Sequence, residues 1–294
     1  HYRVATREGG LAPVDQMPKR YRQWYNSKGK AAQRAQSKKQ ERGRGGRQRG
    51  RRGRRDRDRI GQPTRHHHLF RMLREEHLPY LYFVFSRQDA EHLARDLSRR
   101  CEDTTLLSTE EAREVQAQLD AFEEKLAPAK VLQRDHRFML ERGIGFHHAG
   151  LHVNLKALTE RLYEAKLVKV LYCTGTFALG INMPARAAVF DGMMRFDGRK
   201  MIPLPTREFM QMAGRAGRRG MDKAGTVIVR GDIEDWPQME PELRRYLSGR
   251  YEPVHSRFSL SFNSVVNLLN RHPTERIRDF VEQSFLAYHR RHKA

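Results

Sequence analysis

From Tyr80 to Phe85 the chain reads Tyr-Leu-Tyr-Phe-Val-Phe with no charged or amide residue. A continuous apolar run of this length predicts a strand buried on both faces, as in parallel sheets. Ser86-Arg87-Gln88-Asp89 follows at once and reads as a capping box opening a helix to about Arg100, with Leu93 and Leu97 on one face. A helix over 67–76 precedes the strand. Helices over 110–126 and 131–142, separated by Pro128 and closed by Gly143, lead to a short strand at 144–147. The pattern then gives a helix over 154–166, a strand over 167–173, a turn holding Gly175 and Gly180, and a strand over 187–190. A helix over 207–216 and a strand over 225–230 complete it. Strands alternating with helices predict an α/β fold built on a parallel sheet. Ligands of such sheets bind at the carboxyl ends of strands. Phe85-Ser86-Arg87, His147-His148-Ala149-Gly150 and Thr174-Gly175-Thr176 each follow a strand directly, so all three are expected on one edge.

Outside this alternation the chain changes character. Residues 1–18 carry Gly9-Gly10, Pro13 and Pro18 without apolar periodicity, and read as irregular. Between the strand at 187–190 and the following helix, Asp197-Gly198 is flanked by apolar residues, a hairpin signal. Beyond Asp232, Phe262, Val265, Val266 and Leu269 have helical spacing, as do Ile277, Val281, Phe285 and Tyr288. The expected division is a linker with a basic arm over 1–65, the α/β domain over 66–232, and the start of a helical or winged-helix domain over 233–294.

Charge sharpens the picture of the linker. The 294 residues hold 57 Lys and Arg against 35 Asp and Glu, a net charge of +22. Residues 19–59 carry 18 basic and 3 acidic side chains, so +15 of that charge sits in 41 positions. Over 42–59 the sequence is almost pure Arg and Gly, which cannot bury a core and is expected to stay disordered. Such tracts grip nucleic-acid backbone without sequence preference, though a merely solvated linker is the alternative. The excess implies a polyanionic partner, nucleic acid rather than a membrane, since no amphipathic anchor accompanies it. No apolar run approaches the ~18 residues of a membrane span, and no signal peptide opens the chain. Its first residue, His1, is not Met, so a piece of something longer is expected. Cys101 and Cys173 lack metal-ligand spacing and read as reduced thiols of a cytoplasmic protein. His66-His67-His68 has no carboxylate or thiol at ligand spacing and reads as a linker feature; no metal site is expected.

The chemistry concentrates in Gln211-Met212-Ala213-Gly214-Arg215-Ala216-Gly217-Arg218-Arg219-Gly220-Met221-Asp222. Arg215 and Arg218 are three apart, so on a helix they share one face. Two glycines in a helix interior cost about 0.5–1 kcal/mol each relative to Ala. Something therefore needs bare backbone there, either a ligand or another segment. Two planar guanidinium forks beside bare backbone suit a polyphosphate, a surface arginine cluster being the alternative.

This strip resembles motif VI of superfamily 2 helicases. Phe83-Val84-Phe85-Ser86-Arg87 resembles motif IV, Phe146-His147-His148-Ala149-Gly150-Leu151 resembles motif IVa, and 173–185, from Cys173-Thr174-Gly175-Thr176 to Pro184-Ala185, resembles motif V. Together they resemble the second RecA-like domain of the superkiller-type DExH-box RNA helicases, over roughly residues 66–294. Phe196-Asp197-Gly198, Phe258-x-Leu260-x-Phe262-Asn263 and Ser284-Phe285 fit that class better than the DEAD-box proteins. The resemblance implies a RecA-like parallel sheet flanked by helices. It implies that Gln211, Arg215 and Arg218 face the phosphates of ATP, the two arginines as fingers, with Gly180 and Asn182 bordering the nucleotide. Ser86, Arg87, His148, Gly150, Thr174 and Thr176 would line the backbone of single-stranded RNA, and the Asp197-Gly198 hairpin would part strands. The implied partners are RNA, a first RecA-like domain and an RNA-degrading nuclease complex. One departure stands out: Gly175 occupies a position where the class usually has an acidic residue, which puts the link between RNA grip and ATP site in doubt.

No Gly-x-x-x-x-Gly-Lys-Ser/Thr or Asp-Glu-x-His/Asp strip occurs. The phosphate cradle and the Mg2+ carboxylates are therefore expected on a preceding domain. A DNA helicase domain of the same superfamily and a non-catalytic nucleic-acid-binding adaptor remain open at this point.

Overall fold

The computed structural model describes residues 1–7, 10–29, 63–101, 105–180, 183–253 and 261–292. The expected Arg–Gly arm, Asn182 and the Phe258-x-Leu260 strip lie outside the described residues. The chain divides into two units, 1–250 and 251–294.

The first unit is a seven-stranded sheet. Its strands are β1 (Tyr2–Thr6), β2 (Gly10–Pro13), β3 (Tyr80–Val84), β4 (Ile144–His147), β5 (Val170–Thr174), β6 (Ala187–Phe190) and β9 (Thr226–Arg230), in the order β2-β1-β9-β6-β3-β5-β4. All neighbours run parallel except β1 and β2. Leu81, Phe83, Leu171, Cys173, Phe190 and Val229 pack on one face, and Tyr80, Tyr82, Val170, Tyr172, Val189 and Ile228 on the other. Each strand is thus buried on both sides, which is why its sequence is a continuous apolar run rather than an alternation. Helices α2 (His66–Leu73) and α3 (Arg87–Arg100) cover one face, with Leu69, Leu73, Ala90, Ala94 and Leu97 buried. On the other face lie α4 (Thr109–Leu126), α6 (Val153–Glu164), α8 (Thr206–Ala213) and α9 (Trp236–Leu247). Helix α1 (Met17–Trp24) adds Met17 to that side, while α5 (Arg134–Leu140) closes the turn before β4. A short helix α7 (Gly175–Gly180) follows β5, and β7 (Met194–Phe196) with β8 (Met201–Pro203) forms the expected antiparallel hairpin. This is the RecA-like α/β architecture.

Four expectations are corrected. Residues 1–18 are not irregular: β1 inserts beside β9, with Val4, Ala5 and Ala12 wholly buried. The two strands have five and four residues, too few to show periodicity, and the parallel partner of β1 lies over 220 residues away. The boundary at 232/233 falls instead at Arg250. Helix α9 belongs to the sheet because Trp236, Met239, Leu243 and Tyr246 are buried, and Tyr246 stacks on Phe209 at 4.1 Å. The three histidines are no linker: they open α2, His66 is buried, and its Nε2 lies 3.0 Å from Asp96 Oδ2. Asp96 comes from α3, thirty residues on, so the partner was invisible at local spacing. Finally, Gly175 and Gly180 bound a helix rather than a turn.

The second unit holds α10 (Phe262–Arg271), α11 (Thr274–Glu282) and α12 (Phe285–Arg291). Ser284 accepts a hydrogen bond from the Ala287 N–H and caps α12, dividing the second expected helix in two.

Candidate nucleotide and nucleic-acid sites

Parallel pairing puts the carboxyl ends of β4, β5 and β3 side by side. Val84 pairs with Thr174, and His147 with Cys173, so the three loops expected to meet do meet. Ser86 caps α3 by accepting the Asp89 N–H at 3.0 Å. Arg87 is exposed and its guanidinium lies over Gly150, where an added Cβ would approach Arg87 Nη1 to 3.0 Å. The Thr174 and Thr176 hydroxyls are 2.9 Å apart at the start of α7. His148 is different, since it is almost wholly buried. Its Nδ1 accepts the Gly150 N–H at 3.1 Å and its Nε2 donates to Glu91 Oε1 at 3.0 Å. Both ring nitrogens are committed, so His148 shapes the loop, while Arg87, Gly150 and Thr176 present its surface.

The arginine strip lies at the opposite end of the sheet. Helix α8 stops at Ala213, so Arg215 and Arg218 do not share a helical face as expected. The Ala185 N–H donates to Arg215 O at 2.9 Å and the Gly217 N–H to Ala185 O at 2.7 Å, just ahead of the amino end of β6. Gly217 has φ +97°, a conformation that L side chains rarely adopt. A Cβ at Gly225 would fall 2.2 Å from Ala216 O. The bare backbone of this strip therefore serves, at Gly217 and Gly225, the close approach of two chain segments.

Within this loop Arg215 Nη2 donates to the carbonyl of Ala178 in α7, and its buried Nε has no partner among the described residues. Arg218 is gripped by Asp222: Nε reaches Oδ2 and Nη2 reaches Oδ1, each at 2.8 Å, and the Arg218 backbone N–H reaches Oδ2 at 2.9 Å. The Arg218 guanidinium and backbone N–H hold the Asp222 carboxyl down at about 2, with only 7% of its side chain exposed. Gln211 stands exposed one turn before the loop. Helix α7 starts between the two threonines and carries Ala178 to Arg215, so one short helix joins the two ends of the sheet.

No family model matches the chain. It is 38% identical over 221 residues to an ATP-dependent RNA helicase, DExH11, of Arabidopsis thaliana, covering 74% of this chain and 16% of that protein. Human Superkiller complex protein 2 matches at 38% over 215 residues, 71% of this chain and 16% of that protein. The human exosome RNA helicase MTR4 matches at 37% over 211 residues, 70% of this chain and 20% of that protein. The chain belongs to the superkiller-type DExH-box helicase family. It spans about a sixth to a fifth of the length of these curated relatives.

Gly175, the expected departure from the motif V pattern, has room for a side chain. The nearest atom to a Cβ built there is Met212 Sδ at 3.6 Å, an ordinary contact, so packing does not dictate glycine. Sequence reasoning missed Asp222 as the partner of Arg218, although the i, i+4 spacing was in view. It also missed Glu91, whose carboxylate fixes His148 from the neighbouring helix. The hairpin is tied to α8 through Arg195 Nη2, 3.0 Å from Glu208 Oε1, and leaves Met194, Phe196 and Met201 exposed. Asp197 Oδ1 accepts the N–H groups of Arg199 and Lys200 at 2.8 Å, which fixes the turn. Gly175 and Gly180 end up on α7. No helix of the described residues is long and apolar enough to cross a membrane.

Proposed function

We propose that this chain is the second motor domain of an ATP-dependent RNA helicase, with Arg215 and Arg218 as arginine fingers and Gln211 beside them. The observation that carries the reading is the arginine loop itself. Two guanidinium groups are held by main-chain and carboxylate bonds, and the buried Arg215 Nε has no partner among the described residues. A buried guanidinium donor left without a partner suits an oxygen of a polyphosphate. ATP with Mg2+ would supply the phosphoryl group for hydrolysis, bound mainly by a first RecA-like domain, with Gly180 and Asn182 bordering the nucleotide from this side.

Single-stranded RNA is the proposed ligand of the opposite edge, along Ser86, Arg87, Gly150, Thr174 and Thr176, with His148 shaping the loop from below. The relatives named as RNA helicases support RNA over DNA, and the exosome helicase and superkiller protein among them support a nuclease complex as partner. The basic stretch over 19–59 adds charge that suits nucleic acid. Helix α7 then relays between RNA and nucleotide.

The test is ATP turnover by the complete polypeptide carrying Arg215→Lys or Arg218→Lys. Lysine keeps the charge and loses the fork. Fingers in other nucleotide hydrolases contribute on the order of 10³–10⁵ in rate. A drop of that order in kcat, with folding intact by thermal melting, is expected. Turnover near that of the parent in both variants would overturn the reading.

A further inference from the structure

We propose that Asp222 is the positioning residue of Arg218, holding the guanidinium by its side edge and leaving the terminal edge open for a phosphate. A guanidinium carries five N–H donors: one on Nε and two on each terminal nitrogen. Asp222 takes the Nε proton and one Nη2 proton in a side-on bidentate pair. What remains is the Nη1–Nη2 edge, a second fork of the same geometry and suited to two oxygens of one phosphate. The hydrogen bonds of Arg218 among the described residues run from its backbone N–H, Nε and Nη2, all to Asp222, which leaves the terminal edge to a ligand or solvent.

The fold is bent to make this pair. Residues 218–222 form a closed turn in which the N–H groups of Met221 and Asp222 both reach Arg218 O at 3.0 Å. Gly217 (φ +97°) and Gly220 (φ +76°) supply the two positive φ angles on which the turn depends. The chain thereby returns Asp222 to its own arginine, where its Oδ2 also accepts the Arg218 backbone N–H. A solvated i, i+4 pair on a helix would share only the spacing. Here the arginine side chain is 17% exposed and the aspartate 7%; two hydrogen bonds from the guanidinium fix its orientation, and a third, from the Arg218 backbone N–H, fixes the carboxylate. Fixing that orientation before the nucleotide arrives removes a cost that a freely rotating arginine would meet during reaction.

This inference rests on the arginine-finger reading, and the experiment separates the two. Steady-state ATP turnover is measured in the complete polypeptide for Asp222→Asn, Asp222→Glu, Arg218→Ala, and Arg218→Ala combined with Asp222→Asn, with melting recorded for each. Asparagine keeps one acceptor of the pair. We expect kcat to fall about 10- to 100-fold in Asp222→Asn, with the ATP KM changed little. The double variant is expected to be no slower than Arg218→Ala alone, because Asp222 acts only through Arg218. A purely structural role would not produce that epistasis. Should Asp222→Asn not fold, Asp222→Glu keeps the charge with the carboxylate displaced by one methylene, and the same kcat loss is expected. Unchanged or increased kcat in the folded Asp222 variants, or losses that multiply in the double variant, would overturn the assignment. If Arg218→Ala itself turns over normally, the finger reading fails. If Arg218→Ala is slow and Asp222→Asn is not, only the positioning role fails.

Discussion

Replacing Gly225 with alanine should strike the arginine loop without touching an arginine. The added methyl would lie 2.2 Å from Ala216 O, 2.3 Å from Ala216 C and 2.6 Å from the Gly217 nitrogen, whereas ordinary contact begins at 3.4 Å. All three atoms are backbone, so no flexible side chain can swing aside. Either β9 or the 215–217 segment must move by more than an ångström, which breaks the pairing of Ala185 with Arg215 and Gly217. Overpacking in a core typically costs ~1–3 kcal/mol, and a backbone obstacle on this scale belongs at or above the top of that range. For a unit of this size each kcal/mol shifts the melting temperature by roughly 2–4 °C. A drop of about 6–12 °C is therefore expected by differential scanning fluorimetry of the chain. Gly220→Ala is the internal control. Nothing lies within 4 Å of its Cβ position, and only the left-handed φ of +76° opposes the change, so it should cost ~1–2 kcal/mol. If Gly225→Ala melts within about 2 °C of the parent, or less steeply than Gly220→Ala, the close approach of the two segments is not what demands glycine.

Two further outcomes follow from other parts of the chain. Burial holds the His136 imidazole, stacked on Phe146 at 4.3 Å, down at about 4 against an ordinary 6.5. The unfolded chain then takes up a proton below 6.5 that the folded chain refuses until about 4, so stability is full above that window and falls as pH drops through it. His136→Phe, which keeps the stack, should lose about 2 kcal/mol less than the parent between pH 7 and pH 5; identical pH dependence in thermal melts would count against it. In the complete polypeptide, exchanging 196–200 for a short Gly-Ser turn should cut duplex unwinding and spare RNA-stimulated ATP hydrolysis, because Phe196 and Met201 are exposed and lie outside the two buried core clusters of the described residues. Loss of both activities together would assign the hairpin a folding role.

The strands β3, β5, β6 and β9 were legible because burial on both faces writes itself as an uninterrupted apolar run. Strand β1 was not, since five residues joined to a partner at the other end of the chain leave no local signature. The three loops at the carboxyl edge could be foreseen from strand order and direction alone. The arginine strip could be recognised by its residues, yet its shape could not. Helical spacing suggested one shared face, and only the positive φ of Gly217 and the clash at Gly225 reveal a bent loop. His66 shows the same limit, for its meaning depends on Asp96 and on the Tyr172 hydroxyl 2.9 Å from Nδ1, both remote in sequence.

The placement of β1 changes where the described residues flanking the basic stretch are attached. On one side of it, Met17 and Trp24 are buried in α1; on the other, Thr64 Oγ1 accepts the Arg7 N–H at 2.8 Å and the Thr64 N–H meets Asp232 Oδ1 at 2.5 Å. Arg230 donates to Thr64 O at 2.6 Å, so this far anchor is tied to the last strand of the sheet. Trp24 and Thr64, the described anchors on either side of the basic stretch, thus both belong to the unit 1–250. For a flexible connection between two anchors on one domain, the closure free energy grows by only ~0.6 kcal/mol for each doubling of length. Insertions or deletions between Trp24 and Thr64 are then expected to leave the melting of the 1–250 unit nearly unchanged, so that composition there answers to solvent and ligands more than to the fold.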